Sequence, residues 1–317
     1  MIELDKITKN YGNFPAITDI SFKVEKGEIL GFLGPNGAGK STTMKIITGF
    51  LPPTSGRVAV AGYDLVTDSL EARRHIGYLP ENVPLYTDMT IEDYLGFMGK
   101  IRGMSRDYIR KRTSDVIGIC HLEDYKSTLI GKLSKGFRQR LGIAQSILHE
   151  PDVLVLDEPT IGIDPVQVVE TRRLIKDLAG EHTVIISTHI LPEVSMICER
   201  VIIIHEGQIV AMDKPENLSA RLSGTEHVEL DVKGPQKDVS RALSAVDGVN
   251  EVAMTVSLGR GLFSYVVTAN PGTELRGQIA STVVGGGWDL MRLQSIGMSL
   301  EEIFLRLTTT EEGESTT

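Results

Sequence analysis

The chain has 317 residues, of which 41% are hydrophobic and 24% charged, and its formal net charge is −9. This composition is ordinary for a globular protein of two domains, and its acidic balance disfavours nucleic acid, which we do not expect as a partner. We find no apolar stretch near the ~20 residues that span a bilayer, and we expect no secretory signal after Met1. Cys120 and Cys198 stand alone, which favours the reducing cytosol.

The first elements are predicted to be antiparallel strands. Apolar residues alternate from Ile17 to Val24, and a polar turn follows at residues 25–28. Tyr11 precedes these strands in a predicted turn, where its ring could stack on a purine. An exposed tyrosine without a ligand fits that position equally well.

A glycine-rich octapeptide follows the short apolar run Ile29–Leu33. Residues 34–41 fit the pattern G-x-x-x-x-G-K-[ST], the P-loop, whose glycines let backbone amides surround a polyphosphate. Residues 41–48 have helical character, so phosphates would lie at a helix N-terminus, which favours anions. The motif predicts a nucleotide site built from Gly34, Pro35, Asn36, Gly37, Ala38, Gly39, Lys40, Ser41 and Thr42.

The middle of the chain alternates between helical segments and buried strands. Residues 89–130 have a helical, more polar pattern, and a further helix ends before Pro151. Apolar runs at 153–156 and 184–186 predict two strands, which a helix over 165–179 separates. A hairpin over 201–212 closes the region. This order predicts a mainly parallel sheet covered on both faces, with a helical insertion at its edge.

Charged residues follow the two predicted middle strands. Asp157 and Glu158 come directly after residues 153–156, where side chains face the ligand crevice of an α/β sheet. Asp157 is suited to hold Mg²⁺, and Glu158 is suited to act as the general base for an attacking water. His189 follows the second strand and could contact a γ-phosphate. A lone histidine in this position is just as often structural.

A second anion site is predicted at the start of the helix near residue 134. Ser134 is a good N-cap residue, and Gly136 leaves the first backbone amides open. A plain helix cap without a ligand is the simpler alternative.

The composition shifts after residue 215, which marks a domain boundary. We predict a linker helix over 216–223, an accessory α+β domain over 224–308 and a flexible tail over 309–317. Strands and helices in the order βαββαβ indicate a ferredoxin-like module with a closing helix near 300–307. No ligand motif stands out there, so a packing or regulatory role is expected.

Taken together, the ordered motifs resemble those of the nucleotide-binding domain of ABC transporters, over residues 1–215. The resemblance implies an α/β P-loop fold with a mixed sheet and a helical subdomain at about 89–150, followed by the small ferredoxin-like domain. The matching positions are Tyr11 (A-loop), Gly34–Ser41 (Walker A), Glu81 (Q-loop), Leu133–Gly136 (signature), Val153–Glu158 (Walker B and catalytic glutamate), Asp164 (D-loop) and His189 (H-loop).

Three positions depart from the family pattern. Glu81 stands where glutamine is usual, Lys135 replaces a signature glycine, and Phe137 replaces the signature glutamine. Glu81 still offers an oxygen toward Mg²⁺ but adds negative charge beside the phosphates. These departures are similar to those of bacterial exporter-type ATPase subunits, including the gliding-motility-associated group, which makes export the expected direction.

The resemblance also implies cofactors and partners. ATP is expected as ligand, with Mg²⁺ held by Ser41, Asp157 and Glu81, while Ser134 and Gly136 contact the ATP of a second subunit. That subunit is either a second copy or a paralogue, and each pair would enclose two ATP molecules. The chain would bind a multi-span permease at the cytoplasmic face of the inner or plasma membrane, as a peripheral subunit.

Two other functions remain compatible with a P-loop. One is an ABC ATPase acting on ribosomes or DNA, which the single nucleotide-binding domain, the absence of cysteine clusters and the negative charge disfavour. The other is a nucleotide-binding regulator without hydrolysis, which the presence of Glu158 and His189 disfavours.

Overall fold

The computed structural model describes residues 1–215, 217–218, 226–259, 261–269 and 275–296. The chain divides into two compact units, Met1–Pro215 and Glu216–Thr317, which we call the cassette unit and the accessory unit. The predicted linker helix, except for residues 217 and 218, lies outside the described residues. The predicted closing helix and tail lie outside them as well.

The cassette unit contains two sheets. Their strand orders are β2-β1-β4-β5, which is antiparallel, and β10-β9-β3-β8-β7-β6, in which only β10 runs antiparallel to its neighbour. The mixed sheet confirms the predicted fold class. The strands are β1 (Ile2–Tyr11), β2 (Phe14–Val24), β3 (Ile29–Leu33), β4 (Ser55–Val60), β5 (Tyr63–Asp64), β6 (Ile76–Leu79), β7 (Val153–Asp157), β8 (Thr183–Thr188), β9 (Arg200–His205) and β10 (Gln208–Asp213).

Seven α-helices accompany these sheets in the described cassette residues, together with two short 3-10 helices. Three of them, α3 to α5, lie between residues 89 and 150, where the sequence predicts the helical insertion. Several begin at a side-chain cap, as when Asp164 accepts a hydrogen bond from the Gln167 amide and Pro165 occupies the first turn. The helices are α1 (Lys40–Ile47), α2 (Ser69–Arg74), α3 (Ile91–Ile101), α4 (Arg106–Ile119), α5 (Lys135–Ile147), α6 (Pro165–Leu178) and α7 (Leu191–Ile197).

The three central strands of the mixed sheet are fully buried because both faces are covered. Every residue of β3, β7 and β8 is buried, and most of them are Val, Ile or Leu. Leu33 pairs with Thr188, and Asp157 pairs with Ser187, so the three strands end at the same edge. The P-loop, the Asp157–Glu158 pair and His189 therefore emerge side by side.

The first strand does not appear among the sequence predictions. Its alternation is clear at Ile2 and Leu4 but is broken by register shifts before Ile7, where Lys6 adopts a positive φ of 48°. Such a bulge removes the period of two by which a strand is recognised. Tyr11 is consequently the last residue of β1, which corrects its assignment to a turn preceding the sheet.

The accessory unit has the predicted βαββαβ order. Its four-stranded sheet is antiparallel throughout, in the order β12-β13-β11-β14, and the two helices pack on one face over a separate apolar core. Its elements are β11 (Glu226–Lys233), α8 (Gln236–Ser244), β12 (Val249–Gly259), β13 (Leu262–Ala269), α9 (Arg276–Gly285) and β14 (Asp289–Ile296).

Candidate active site

The P-loop wraps the N-terminus of α1. Gly39 precedes this helix with φ 104°, and a β-carbon there would lie 2.6 Å from Ile17 Cγ2 and 2.8 Å from the Ala16 carbonyl oxygen. Only glycine meets both demands. No side chain caps the helix, so its first backbone amides are available to an anion.

Lys40 lies almost entirely inside this loop, with 6% of its surface exposed. Its ammonium donates hydrogen bonds to the carbonyl oxygens of Gly34 at 2.8 Å and Pro35 at 3.1 Å. Glu158 Oε1 lies 3.5 Å from the same nitrogen. Because a buried cation needs polar partners, these contacts hold the charge at the floor of the loop.

Two serine hydroxyls converge on Asp157 at the end of β7. Ser41 Oγ, from the first turn of α1, lies 3.3 Å from Asp157 Oδ1, and Ser187 Oγ donates a short hydrogen bond to the same oxygen. Asp157 is buried. Mg²⁺ takes oxygen ligands and is usually held by one or two protein groups together with substrate phosphates, so the Ser41–Asp157 pair fits this ion.

Glu158 is held in an unusual backbone conformation. Its φ is 51°, and its amide donates to both the carbonyl oxygen and the hydroxyl of Ser187 at 3.1 Å. A positive φ is costly for a non-glycine residue and persists where its surroundings impose it. Glu158 Oε2 lies 2.9 Å from His189 Nδ1, so the carboxylate stands between Lys40 and the imidazole.

A cleft of about 450 Å³ opens above these groups. Tyr11 and Phe14 face each other across the β1–β2 hairpin and are exposed aromatic residues of its wall. An apolar wall beside a phosphate loop suits a flat, aromatic base. The predicted site residues that line the cleft are Tyr11, Asn36, Gly37, Gly39, Lys40, Ser41, Thr42, Glu81 and Glu158.

The other predicted residues support the cleft or lie away from it. Four of them do not line the cleft but are hydrogen-bonded to a residue that does: Gly34 and Pro35 to Lys40, Asp157 to Ser41, and His189 to Glu158. Ala38 is buried in the core. Ser134 and Gly136 do not line it. Instead, Ser134 accepts a hydrogen bond from the Phe137 amide at 3.3 Å and caps α5.

Glu81, at the position where the family pattern has glutamine, is an acidic residue that lines the cleft. The pKa of the Tyr78 phenol on β6 is raised above its ordinary value, mainly by burial. The negative charges of Asp157 and Glu81 raise this pKa further. The two carboxylates would attract a cation for the same electrostatic reason.

The residues that distinguish the signature segment have partners within the cassette unit. A β-carbon on Gly136 would lie 2.2 Å from Gln167 Oε1 of α6, so a larger residue there would require the Gln167 side chain to move. The Phe137 ring lies 4.2 Å from that of Tyr125 and 5.4 Å from the Arg140 guanidinium carbon. Phe137 therefore has a packing role where the family pattern has glutamine.

Sequence reasoning does not assign roles to Ser187 and Phe14, although both take part in the site. Ser187 interrupts the apolar run of β8 with a hydroxyl, which is a usable signal because buried polar side chains need partners. Phe14 gives a weaker signal, because an aromatic residue as the first residue of a strand is ordinary. In the part of the chain that the structure describes, no helix is long and apolar enough to cross a membrane.

Comparisons with known proteins agree on one family. The family described as "ABC transporter" matches residues 17–161. The linearmycin resistance ATP-binding protein LnrL of Bacillus subtilis (strain 168) is 32% identical, with 97% of this chain and 98% of that protein covered. The bacitracin transport ATP-binding protein BcrA of Bacillus licheniformis is 32% identical, with 97% of each covered.

A solved structure shares the fold of the cassette unit. It is a dimeric ATP-binding cassette in a post-hydrolysis state bound to ADP and Pi, with a TM-score of 0.62 and 27% identity. The similarity covers 68% of this chain and 98% of that one.

Proposed function

The chain belongs to the ABC transporter family as an ATP-hydrolysing subunit, and from this premise we propose that it drives the export of an antibiotic-like compound through a separate permease. The names of the relatives, linearmycin resistance and bacitracin transport, support the class of cargo. One observation carries the ATP-hydrolysing part of the proposal: Lys40, Asp157, Glu158 and His189 meet at one edge of the mixed sheet.

Phosphate binding falls to the P-loop. The free amides of α1 and the Lys40 ammonium bind the β- and γ-phosphates of ATP, and Tyr11 stacks on the base. Ser41 and Asp157 would hold Mg²⁺, with Glu81 facing it directly or through water. The ion would neutralise charge on the phosphate oxygens.

Hydrolysis needs a base and a contact to the γ-phosphate. Glu158 accepts a proton from the attacking water. The water oxygen forms a bond to the γ-phosphorus, and the bond from that phosphorus to the bridging oxygen of the β-phosphate breaks. His189, 2.9 Å from Glu158, fixes this carboxylate and donates toward the γ-phosphate. Binding ATP also gives Lys40 phosphate oxygens as partners in place of Glu158.

One subunit does not complete the site, because Ser134 and Gly136 do not line its own cleft. We propose that they close over the ATP of a second ATP-binding subunit, which is a second copy or a paralogue. Two ATP molecules are then enclosed, and loss of a γ-phosphate separates the halves. The dimeric state of the similar cassette bound to ADP and Pi supports this arrangement.

The permease contact is proposed at the helical insertion, close to Glu81. Tyr86 is 55% exposed, and its ring meets the partly exposed Phe97 edge-on at 5.6 Å. Adjacent exposed aromatic rings are typical of protein interfaces. Such a contact would hold the chain at the cytoplasmic face of the membrane as a peripheral subunit. The accessory unit is proposed as a packing or regulatory module.

The catalytic assignment is tested with Glu158→Gln. We expect turnover to fall at least about a hundredfold because general-base catalysis is lost. ATP binding should persist, and an ATP-dependent dimer should accumulate in size-exclusion chromatography. The exposed carboxylate of Glu181 supplies the control Glu181→Gln, which should hydrolyse ATP at the parental rate. Parental turnover in Glu158→Gln would reject Glu158 as the base.

A further inference from the structure

Glu193 is a buried carboxylate next to the catalytic groups that the proposed mechanism does not use. It lies in the first turn of α7, with 3% of its surface exposed. Thr160 Oγ1 lies 2.7 Å from each of its carboxylate oxygens, and Thr188 Oγ1 donates to Oε2 at 3.1 Å. Two separate segments of the chain are thus bonded to one side chain.

The surroundings of Glu193 are mostly apolar, so an apolar side chain would pack there at least as well as a carboxylate. Ile175, Ile186 and Val194 line the same small pocket, and one cation, Arg172, reaches the carboxylate with Nη2 at 3.1 Å. Burying an ion pair among apolar groups is often no better for stability than a well-packed apolar residue. A carboxylate at this position therefore needs a reason other than stability.

The two threonines stand beside the two catalytic side chains. Thr160 follows Glu158 by two residues, and Thr188 directly precedes His189. The Thr188 hydroxyl also accepts a hydrogen bond from the Ile190 amide at 3.0 Å, so the backbone on both sides of His189 is fixed. Glu158, with its φ of 51°, begins the turn that Thr160 anchors.

We infer that Glu193 is a positioning residue for ATP hydrolysis, which sets the spacing between Glu158 and His189. It does so through its hydrogen bonds to Thr160, which follows Glu158, and to Thr188, which precedes His189. The inference rests on the roles proposed for these two residues. Glu193 itself does not line the cleft, so it acts through Thr160 and Thr188. A misplacement of about 1 Å in a catalytic group can cost about a hundredfold in rate, which is the scale on which such a support matters.

The test is Glu193→Gln in the full chain. Gln keeps the length of the side chain but has one acceptor oxygen and no charge, so it cannot serve both threonines and Arg172 together. We expect kcat to fall about tenfold or more, while ATP affinity in a direct titration changes less than about twofold because the P-loop is untouched. Thr160→Val and Thr188→Val should each lower kcat, and Glu193→Gln combined with Thr188→Val should lower it less than the product of the single effects.

Glu28→Gln is the matched control. Glu28 is also a largely buried carboxylate paired with an arginine, Arg200, at 2.7 Å, but it precedes β3 and so lies at the opposite end of that strand from the P-loop. This variant should lose stability in urea without a change in kcat. Equal losses of kcat in Glu28→Gln and Glu193→Gln would show a general effect of lost burial and overturn the inference.

Three further results separate the possible failures. Parental kcat in folded Glu193→Gln rejects the positioning role, and so does a loss of ATP affinity that matches the loss of kcat. If Glu193→Gln does not fold, parental kcat in both threonine variants rejects it instead. Parental turnover in Glu158→Gln rejects the assigned base, and with it the premise of the inference, whatever Glu193→Gln does.

Discussion

The cassette and accessory units both pack helices against β-sheets, but they differ in the side chains that they bury. In the cassette unit, charged side chains are buried at the ends of central strands, as for Lys40, Asp157 and Glu158. In the described part of the accessory unit, Ser264 is the only buried polar residue, and ion pairs such as Arg292–Glu229 lie at the surface.

We expect this difference to distinguish the unit that carries the reaction from a unit that only packs. Burying charge costs free energy unless every group finds a partner, so a cluster of buried charges points to a use beyond folding. Surface ion pairs contribute about 0–1 kcal/mol each and need no such explanation. The predictions below test whether function follows the buried polar groups, from the largest expected effect to the smallest.

Lys40→Ala should have the largest effect. It removes the only positive side chain that lines the cleft in the described structure. Truncating one partner of a buried charge pair costs about 2–5 kcal/mol, so ATP affinity should fall by roughly thirtyfold to a few thousandfold in a direct titration.

Lys45→Ala is the control for this variant, because Lys45 occupies the last turn of the same helix, away from the phosphates. It should bind ATP within about twofold of the parent. Undiminished ATP affinity in Lys40→Ala would show that the buried charge of Lys40 is not needed to bind ATP.

His149 is a largely buried polar residue of the cassette unit, and its titration should make the stability of this unit depend on pH. Burial lowers its pKa to about 4, and the charges of Arg102, His182 and Arg112 act in the same direction. The unfolded chain takes up this proton near pH 6.5, whereas the folded cassette unit does so only near its lowered pKa. The free energy of unfolding should therefore fall as pH drops from about 6.5 to about 4, by about 3 kcal/mol.

His149→Gln isolates this contribution, since Gln can keep the hydrogen bond that Nε2 makes to the Ile76 carbonyl at 3.1 Å. Urea unfolding followed by circular dichroism at pH 7 and pH 4.5 should show a smaller acid loss in the variant than in the parent. If the free energy of unfolding of the parent and of His149→Gln depends on pH in the same way, a group other than His149 causes the loss of stability in acid.

The same contrast explains what the sequence could predict. The P-loop and the strands around it follow from local signals, because a fixed motif and continuous apolar runs need no tertiary information. Glu193 could not be found in this way, since an acidic residue in the first turn of a helix is ordinary. Its role depends on Thr160 and Thr188, which only the folded sheet brings together.

The signature segment shows a second limit. The sequence predicts Ser134 as an N-cap, and the structure gives it that contact, but the fact that it does not line the cleft follows from the fold and not from the motif. Similarly, the bulges of β1 hide a strand whose last residue is Tyr11. In both places a tertiary or irregular feature decides where a predicted residue lies.

Val267→Ala should have the smallest effect and none on turnover. Val267 is fully buried in β13, between Val228 and Val252 of the neighbouring strands, so losing two methyl groups should cost about 2 kcal/mol. Trp288 is the single tryptophan of the chain and packs against the same core, so its fluorescence in urea reports the accessory unit selectively.

The ATPase rate of Val267→Ala, measured where the variant is fully folded, should equal that of the parent, because an apolar core supplies no group to the reaction. The matched variant Val155→Ala removes the same two methyl groups from β7, two residues before Asp157, and should lower both stability and turnover. A fall in turnover in Val267→Ala as large as that in Val155→Ala would mean that the accessory unit acts on catalysis, and buried polar groups alone would then no longer mark the functional part of the chain.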